Sequence, residues 1–539
     1  GMNATRLYTI KYGQNKQVLS IGRVQTPTLA LIVNRQLEIA NFQPKQYWEL
    51  KTNYRDTTFS ALIRKSDEEI AAEEEKNGGK KKIDNPGIDP IANREEGEAL
   101  VQRIKDLPFV VTSVGKKDGK EYAPRLFDLT SLQVECNKKF AYSADETLKL
   151  IQSLYEKKVA TYPRVDTTFL SDDIYPKCPG ILKGLRDYEV LTAPLNGSTL
   201  PKSKKVFDNS KVTDHHAIIP TMEIIKQDLK AIPESEMKIL SLCANRLLCA
   251  TGEKHIYNST KAELTCNEIV FKVSGKEVWK NGWKEFEDFF KNSYKTAEDK
   301  SDAEEEKKLP ELREGMMIAV EQTKVSEHFT QPPKHYTEDS LLSAMERAGA
   351  EDMGDEVERK GLGTPATRAD IIEKLVKDGF VKREKKQMIP TEDGMKLITI
   401  LPDVVKSPKL TADWENELTL VSKGEVAAEQ FMSGIEAMVT DLVKTYHSVS
   451  DEQKAMFGTG KGGQEVLGKC PKCGADVVRG KFGAYCTGKC GMNVGKALGV
   501  TLSDSQVKSL LQGKKILVKG LKGKKGSYDA YLIPESVEE

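Results

Sequence analysis

ATYPRVDTTFLS, residues 160–171, is the stretch from which the organisation of the chain can be predicted. It carries a phenol at Tyr162, a guanidinium at Arg164 and a carboxylate at Asp166. Side chains two residues apart in an extended segment share one face, so we expect these three groups to point the same way. Pro163 favours that conformation, because it fixes its own φ and restricts the residue before it.

These three side chains have the chemistry of a nucleophilic site. A free phenol ionises near pH ~10, so a tyrosine attacks only when a cation stabilises its anion or a base takes its proton. Arg164 can stabilise the anion, and its planar fork of donors also fits two phosphate oxygens. The residues alone leave a second interpretation open, in which a Tyr-Pro-Arg turn holds a half-buried ring and a solvated arginine.

The longer pattern TYPRVDTTFLS, residues 161–171, resembles the active-site segment of type IA DNA topoisomerases, topoisomerase III branch. The resemblance implies that Tyr162 attacks a DNA phosphodiester and carries a 5′-phosphotyrosyl intermediate. It also implies that Arg164 positions the scissile phosphate and that Asp166 belongs to the DNA-binding surface. The implied activity is ATP-independent cleavage, passage and religation of single strands, which relaxes or decatenates DNA.

Two further segments carry the same resemblance. SIGRVQTPT, residues 20–28, predicts a helix with Thr26 as N-cap and proline at its first position, and the family pattern adds a DNA-backbone contact for Arg23. DHHAIIPT, residues 214–221, implies that His215 pairs with the scissile phosphate or the tyrosine, which an imidazole can do by donating a proton or a hydrogen bond. Adjacent histidines are also common in loops, so a structural role stays open.

GLGTPATR, residues 361–368, predicts a helix that starts at Thr364 and Pro365, followed by a basic hairpin closed over residues 384–386. This pattern fits a winged helix that binds DNA, or an ordinary α+β module. By resemblance the region holds the single strand, so Thr367 and Arg368 become candidate phosphate contacts, because a helix N-terminus suits an anion.

Four cysteines are clustered near the C-terminus. Two short Cys loops at this spacing are typical of tetrahedral zinc, and a closed four-thiolate set indicates a structural ion: Cys470, Cys473, Cys486 and Cys490. Incidental clustering is the alternative. The lysine-rich stretch after residue 513 alternates with apolar residues and predicts a small basic sheet that grips phosphates. The other five cysteines are scattered, as expected for buried reduced thiols in a cytosolic protein.

Composition limits the possible classes. The chain has 539 residues, with 82 Lys plus Arg against 81 Asp plus Glu, so its formal charge is +1 and any nucleic-acid binding must come from local patches. No apolar run is long enough to span a membrane and no secretion signal is evident, which predicts a cytoplasmic, nucleoid-associated protein. No phosphate-binding loop pattern for a nucleotide is present, in keeping with ATP-independent chemistry.

The predicted fold class is multidomain α+β, and by resemblance a toroidal type IA scaffold in which helical and winged-helix-like domains are joined by a β-rich arch, with a C-terminal zinc ribbon. Residues 1–48 and 328–448 are expected to form a discontinuous helical base that grips DNA, and residues 49–116 and 257–327 a discontinuous β-rich arch. Residues 117–256 are expected to form the domain with the tyrosine. A glycine-rich linker at 449–465 leads to a zinc module at 466–539.

The resemblance also exposes an expected absence. In the family a Toprim domain precedes the GRVQ segment and holds Mg²⁺, and we find none of its acidic ligands in this chain. A catalytically incompetent single-strand-binding derivative is therefore the alternative to an active topoisomerase. The expected partner is DNA, preferentially single-stranded, bound by a monomer, and a helicase partner is left open.

Overall fold

The computed structural model describes residues 1–13, 18–76, 85–184, 202–212, 214–294, 309–349, 361–445, 466–480, 483–488, 490–494, 496–523 and 526–534. The predicted linker 449–465, the acidic run 298–308 and the last lysines of the basic stretch, Lys524 and Lys525, lie outside these residues. The chain forms two compact units, one of residues 21–436 and one of residues 1–20 with 437–539.

The larger unit contains one antiparallel sheet of seven strands in the order β6-β3-β4-β5-β2-β1-β7. The strands come from both sides of a long excursion of the chain, as the sequence predicted for the β-rich region. Their bounds are β1 Gln46–Tyr54, β2 Thr57–Ala61, β3 Phe109–Glu121, β4 His255–Cys266, β5 Ile269–Lys280, β6 Met317–Ile318 and β7 Gln322–Phe329.

The sheet has one buried face, and its residue pattern explains why. In β2, Thr57 and Phe59 are buried while Thr58 and Ser60 are exposed, so one face repeats every second residue. Phe59 packs in a cluster with other fully buried aromatic and aliphatic side chains of the sheet. Two short helices flank the strands, α3 Asp67–Lys76 and α4 Arg94–Ile104, and α4 packs on β1 and β7.

The excursion between β3 and β4 is helical and carries the segment with Tyr162. Its helices are α5 Leu129–Phe140, α6 Ala144–Glu156, α7 Cys178–Gly184 and α8 Glu234–Ala250, and α9 Lys284–Ser293 packs on α8. Ser143 followed by Glu146 three residues later is the sequence pattern of a capping box, and this prediction is confirmed, since the two residues exchange side-chain and backbone hydrogen bonds at the start of α6. Burial of Ile151 and Leu154 on one face of α6 contributes about 1.5–3 kcal/mol each.

A second helical group surrounds α2 Gln25–Ala40, which packs against α11, α12, α13 and the hairpin strand β9. The predicted cap and proline start of α11 and the hairpin after it are confirmed. The bounds are α10 Glu338–Arg347, α11 Pro365–Lys377, β8 Val381–Glu384, β9 Gln387–Pro390, α12 Glu392–Ile400, α13 Asp403–Lys406, α14 Pro408–Ser422 and α15 Ala428–Thr445.

The predicted N-cap of α2 is wrong. The helix begins at Gln25, so Thr26 lies inside the first turn and Val24 is the N-cap, without a side-chain cap. The Thr26 hydroxyl instead accepts a hydrogen bond from the backbone N–H of Gly22 at 3.1 Å. This bond closes the GRVQ turn on itself, which is a local alternative to capping for a threonine.

The smaller unit contains α1 Met2–Tyr12 and the C-terminal region with the four clustered cysteines. The C-terminal part has a three-stranded sheet and two hairpins around one helix, with bounds β10 Val466–Lys469, β11 Asp476–Gly480, β12 Gly483–Cys486, β13 Lys496–Ala497, β14 Val500–Thr501, α16 Asp504–Leu511, β15 Ile516–Gly523 and β16 Gly526–Leu532. Val477, Val507, Val518 and Leu521 are buried in its own small core.

Candidate active site

The segment that carries Tyr162 is extended, and its side chains alternate between core and surface. Pro163 and Val165 are buried, Tyr162 is half-buried, and Arg164 and Asp166 are exposed. The phenol, the guanidinium and the carboxylate therefore share the outer face, as expected from their two-residue spacing. Within the described residues the Arg164 guanidinium forms no ion pair, so its donors face solvent without a carboxylate partner.

The phenol ring of Tyr162 lies against the imidazole of His215. The two ring centroids are 4.5 Å apart at an interplanar angle of 38°. On another side, the ring of Tyr155 from α6 meets Tyr162 edge-on at 5.5 Å. Tyr162 is thus held between two rings, and a ring contact of this kind contributes about 0.5–1.5 kcal/mol.

Backbone pairing explains why residues so distant in the chain meet. The N–H of Thr161 donates to the carbonyl of Ile219 at 3.0 Å, and the N–H of Thr221 donates to the carbonyl of Val159 at 3.0 Å. The Thr161 hydroxyl donates to the carbonyl of Ala217 and accepts from the N–H of Ile219. Residues 217–221 are therefore fastened alongside residues 159–161, which puts His215 next to the phenol.

The same segment rests on the N-terminus of α5. The N–H of Leu129 donates to the carbonyl of Val165 at 3.2 Å. The backbone between Arg164 and Asp166 is therefore fastened to the first turn of α5. Asp128 caps this helix through Ser131. Burial raises the pKa of Asp128 against the hydrogen bonds from Ser131, and the nearby charge of Asp166 acts in the same direction as burial. The carboxylate of Asp166 is therefore close to this helix end.

Arg368 reaches the same place from α11, but as a buried residue. It is 2% exposed, and its guanidinium donates to the Thr130 hydroxyl at 2.9 Å and to the Leu362 carbonyl at 3.2 Å. Glu346 lies 3.8 Å away, and burial lowers the pKa of Arg368. The side chain thus ties α11 to the first turn of α5. Its predicted contact with a DNA phosphate stays a prediction.

The other two predicted DNA contacts are Arg23, whose side chain lies against α14, and Thr367 at the start of α11. Arg23 forms an ion pair with Glu415 at 3.0 Å and lies 5.8 Å from the ring of Trp414. Thr367 is exposed and takes part in the capping box with Thr364. Gly363 lies between the two segments. A Cβ added at this glycine would be 3.2 Å from the Thr367 hydroxyl and 3.4 Å from a methyl group of Val24, the residue after Arg23.

Tyr155, Thr161 and Asp128 belong to this site and were not predicted as members. Tyr155 follows the same helical spacing as the apolar residues of α6. The sequence therefore does not distinguish a ring that contacts Tyr162 from one that packs in the core. Thr161 precedes the tyrosine directly, and its spacing alone does not show that it bonds residues 217 and 219. The role of Thr161 depends on partners far away in the chain.

The four clustered cysteines converge in the smaller unit. Their sulfur atoms all lie within 4.8 Å of one another, with Cys470 and Cys490 at 3.6 Å and Cys473 and Cys486 at 3.3 Å. Tetrahedral zinc with Zn–S bonds of ~2.3 Å requires sulfur pairs ~3.8 Å apart, so the set fits this ion. Burial raises the pKa of Cys470, but backbone hydrogen bonds from Cys473 and Lys472 outweigh it and bring the pKa to about 7, whereas burial and the Cys473 thiol raise the pKa of Cys486 to about 12. Of these two thiols, Cys470 therefore gives the metal-binding thiolate more readily.

Comparison with known proteins identifies the family. A family model described as "DNA topoisomerase" matches residues 1–433, and one described as "C-terminal repeat of topoisomerase" matches residues 489–538. The chain belongs to the DNA topoisomerase family. It is 34% identical over 495 residues to "DNA topoisomerase 3" of Bacillus licheniformis and 33% identical to that of Bacillus subtilis. The predicted resemblance to type IA topoisomerases of the topoisomerase III branch is confirmed, whereas the predicted lack of a Toprim domain stays a prediction.

This topoisomerase-family chain spans 63% of the length of both Bacillus relatives, while the alignment covers 90% of the chain itself. Its structure resembles that of full-length topoisomerase I from Thermotoga maritima, with a TM-score of 0.56, 23% identity, and coverage of 92% of this chain and 73% of that one. The predicted type IA scaffold, with mixed helices and strands, is confirmed as a fold. Among the described residues, no helix is both long and apolar enough to cross a membrane.

Proposed function

We propose that this chain is a type IA topoisomerase that cleaves one DNA strand with Tyr162, allows another strand to pass, and reseals the break. The observation that carries the proposal is the contact between the Tyr162 and His215 rings, 4.5 Å apart, beside the exposed Arg164 and Asp166. A nucleophile, a cation for phosphate and a proton-carrying ring thus converge on one open face.

The proposed step is a transesterification. The Tyr162 oxygen attacks the phosphorus of a phosphodiester and loses its proton, while the bond from phosphorus to the 3′ oxygen breaks and that oxygen takes up a proton. The products are a 5′-phosphotyrosyl bond and a free 3′ hydroxyl. One phosphodiester is exchanged for another, so the reverse attack by the 3′ hydroxyl reseals the strand without ATP.

The chain's own residues have distinct parts in this step. Arg164 has a planar fork that fits two non-bridging phosphate oxygens and offsets the charge developing on them. His215 can donate a hydrogen bond or a proton at the oxygen atoms around the phosphorus. Asp166, next to the N-terminus of α5, repels phosphates by its negative charge and so limits where the strand can lie beside Arg164.

DNA binding outside the reacting phosphate is assigned to several surfaces. Arg23 and Thr367 are proposed to position the phosphates of a single strand near the start of α11, whereas the buried Arg368 is proposed to hold that helix in place through Thr130, so its own phosphate contact stays a sequence prediction. The C-terminal hairpin of β15 and β16 exposes Tyr528 and Tyr531, with Lys515 at 5.4 Å from the latter ring. Exposed rings next to cations suit stacked bases of a single strand.

Zinc would be held by the four thiolates of the smaller unit and would act as a structural cross-link between the loops that carry them. The family resemblance also implies Mg²⁺. Within the part of the chain that the structure describes, the cysteine set is the only convergent group of three or more His, Cys, Asp or Glu side chains. No step above passes through Mg²⁺. The domain boundaries expected from the sequence remain part of this proposal.

A trapping assay tests the function. The full chain is incubated with a single-stranded oligonucleotide labelled at its 3′ or its 5′ end, with Mg²⁺ present, and stopped with denaturant. We expect protein-linked label only with the 3′-labelled strand, because the tyrosine keeps the fragment downstream of the break. Tyr162→Phe should form no adduct, whereas Tyr142→Phe, which removes a phenol outside the site, should form it normally.

Two results would contradict the proposal. An adduct that persists in Tyr162→Phe would remove this phenol from the reaction. Binding of the oligonucleotide with a steep salt dependence, but without any adduct, would favour the single-strand-binding derivative instead. Plasmid relaxation by the same proteins provides an independent measure of complete turnover.

A further inference from the structure

A cavity of about 660 Å³ lies where the sheet joins the helical region that carries Tyr162. Its walls come from the segment after β3, the segment before β4, the loop 203–208, and the active-site segment itself. We call it the junction cavity; the lining residues that matter here are Tyr122, Arg125, Phe169, Lys204, Lys205 and Lys254. Its volume lies within the ~300–1,000 Å³ range of small-molecule sites.

The lining of the junction cavity is strongly basic. It includes five cationic side chains and two carboxylates, a formal surplus of three positive charges. Glu253 is paired with Lys280 at 2.5 Å, and Asp208 accepts hydrogen bonds from the backbone and hydroxyl of Ser210. Both carboxylates therefore have partners, and no carboxylate among the described residues forms an ion pair with the other four cations.

Three of these four cations lie against aromatic rings. The Arg125 guanidinium is 5.2 Å from the centre of the Phe169 ring. The ammonium groups of Lys205 and Lys254 are 3.1 Å and 4.8 Å from the centre of the Tyr122 ring. A hydrogen bond with Lys254, together with the charges of both lysines, lowers the pKa of Tyr122. A ring orients a cation without neutralising it, so these donors remain available to an anion.

We propose that the junction cavity binds one or two nucleotides of a single DNA strand, with the phosphates on Lys204, Lys205, Lys254 and Arg125. This inference rests on the proposed function, because it takes DNA as the ligand. A nucleotide suits the cavity because the basic side matches its phosphate, and the apolar side, which includes Pro124 and Val206, can cover the sugar and base.

The lining of the junction cavity is hydrogen-bonded to the segments that hold Tyr162 and His215. Phe169 belongs to the same segment as Tyr162, and its carbonyl accepts a hydrogen bond from the N–H of Ala217. Residue 217 is in turn bonded to Thr161, directly before the nucleophile. A strand in the junction cavity therefore contacts the framework that holds Tyr162 and His215 together, at a place separate from the reacting phosphate.

Salt-dependent binding tests the inference in a Tyr162→Phe background, which prevents covalent trapping. The affinity for a fluorescent oligothymidylate is measured against salt for the full chain, for Lys204→Gln/Lys205→Gln, and for Lys116→Gln/Lys117→Gln. The last pair removes the same charge from exposed β3 lysines outside the cavity. We expect the cavity variant to bind about tenfold more weakly and to lose about 0.7–1.4 from the slope of log affinity against log salt.

Equal slopes in the cavity variant and the Lys116/Lys117 control would overturn the inference. A second arm identifies the ligand by photocrosslinking with 5-iododeoxyuridine. Crosslinks to Tyr122 or Phe169 from an oligonucleotide support a strand in the cavity, whereas crosslinks from the free mononucleotide alone would overturn it in favour of a nucleotide site. The trapping assay with Tyr162 intact reports on cleavage separately, so absence of the adduct together with the expected loss of salt slope in the cavity variant contradicts only the proposed function.

Discussion

The rings of Tyr162 and His215 touch at a centroid distance of 4.5 Å, although they come from separate loops of the helical excursion. The contact is made by backbone pairing, in which residues 159–161 bond residues 217–221. The geometry therefore depends on a small ladder of hydrogen bonds and on the two rings themselves. Changes to the imidazole and changes to the ladder should have separable effects.

Replacing His215 by alanine should slow strand cleavage by about 100-fold, because a positioned imidazole contributes roughly that much as a proton donor or acceptor. Binding of single-stranded DNA should change little, since the contacts with distant phosphates remain. The rate of adduct formation by single-turnover trapping is the measurement. His216→Ala is the control, because the neighbouring ring bonds the carbonyl of Ala217 and lies beside no nucleophile in the described structure. Equal losses in both variants would contradict the assignment.

Local rules predicted the elements that depend on nearby residues. Ser143 and Glu146 form their capping box within one turn, and Thr364 and Pro365 start α11 as their types predict. The hairpin after α11 also follows from its own pattern, with Lys385 in the left-handed region at φ 56° where the two-residue turn requires it. In each case the bonding partners lie within a few positions of one another.

The rest depended on distant partners that one sequence does not show. Thr26 has the right type for a cap, but its hydroxyl bonds Gly22 instead. Arg368 is a cationic residue at a helix N-terminus, as expected of a phosphate contact. In the structure its side chain is buried and donates a hydrogen bond to Thr130 on another helix. The resemblance named Tyr162 and His215 together, whereas the hydrogen bonds that join their segments became visible only in the fold.

Arg368→Ala should destabilise the chain by about 2–3 kcal/mol, because it removes a buried charged donor from Thr130 and from the Leu362 carbonyl. Lys374→Ala, an exposed change on the same helix, should stay within about 0.5 kcal/mol of the original. Denaturant unfolding of both variants is the measurement. An Arg368→Ala variant of unchanged stability, with a lower salt slope for DNA binding, would instead establish this side chain as a phosphate contact.

The stability of the chain should depend on pH through Asp128. Burial raises the folded-state pKa of this carboxyl above its ordinary value of 3.8, so the folded chain binds the proton more tightly than the unfolded chain does. The stabilising contribution is fully present below pH 3.8 and is lost as the pH rises through the folded pKa. Asp128→Asn keeps an N-cap side chain and removes the titration. The free energy of unfolding of this variant, relative to that of the original chain, should therefore increase as the pH rises through the folded pKa of Asp128.

The control for this titration is Asp173→Asn, because hydrogen bonds from Ser171 and Lys177 lower the pKa of Asp173. Its contribution has the opposite sign: it is present above pH 3.8 and is lost as the pH falls through the folded pKa. Unfolding free energies at about pH 3.5, 5 and 7 distinguish the two variants. A difference curve for Asp128→Asn that falls with rising pH would show that burial does not dominate at this carboxyl.

Zinc removal should unfold the C-terminal module while leaving the larger unit folded. The module is small, its core is formed by residues such as Val477 and Val507, and the thiolate cluster lies beside that core, so the metal supplies much of its folding free energy. We expect about one zinc per chain by chelator-dye release, none in Cys473→Ser, and the normal content in Cys266→Ala, whose thiol is buried in the sheet core. Proteolysis after chelation should then cut within residues 466–534 first. Full zinc content in Cys473→Ser, or simultaneous cleavage of both units, would mean that the four sulfurs do not hold the ion that folds this module.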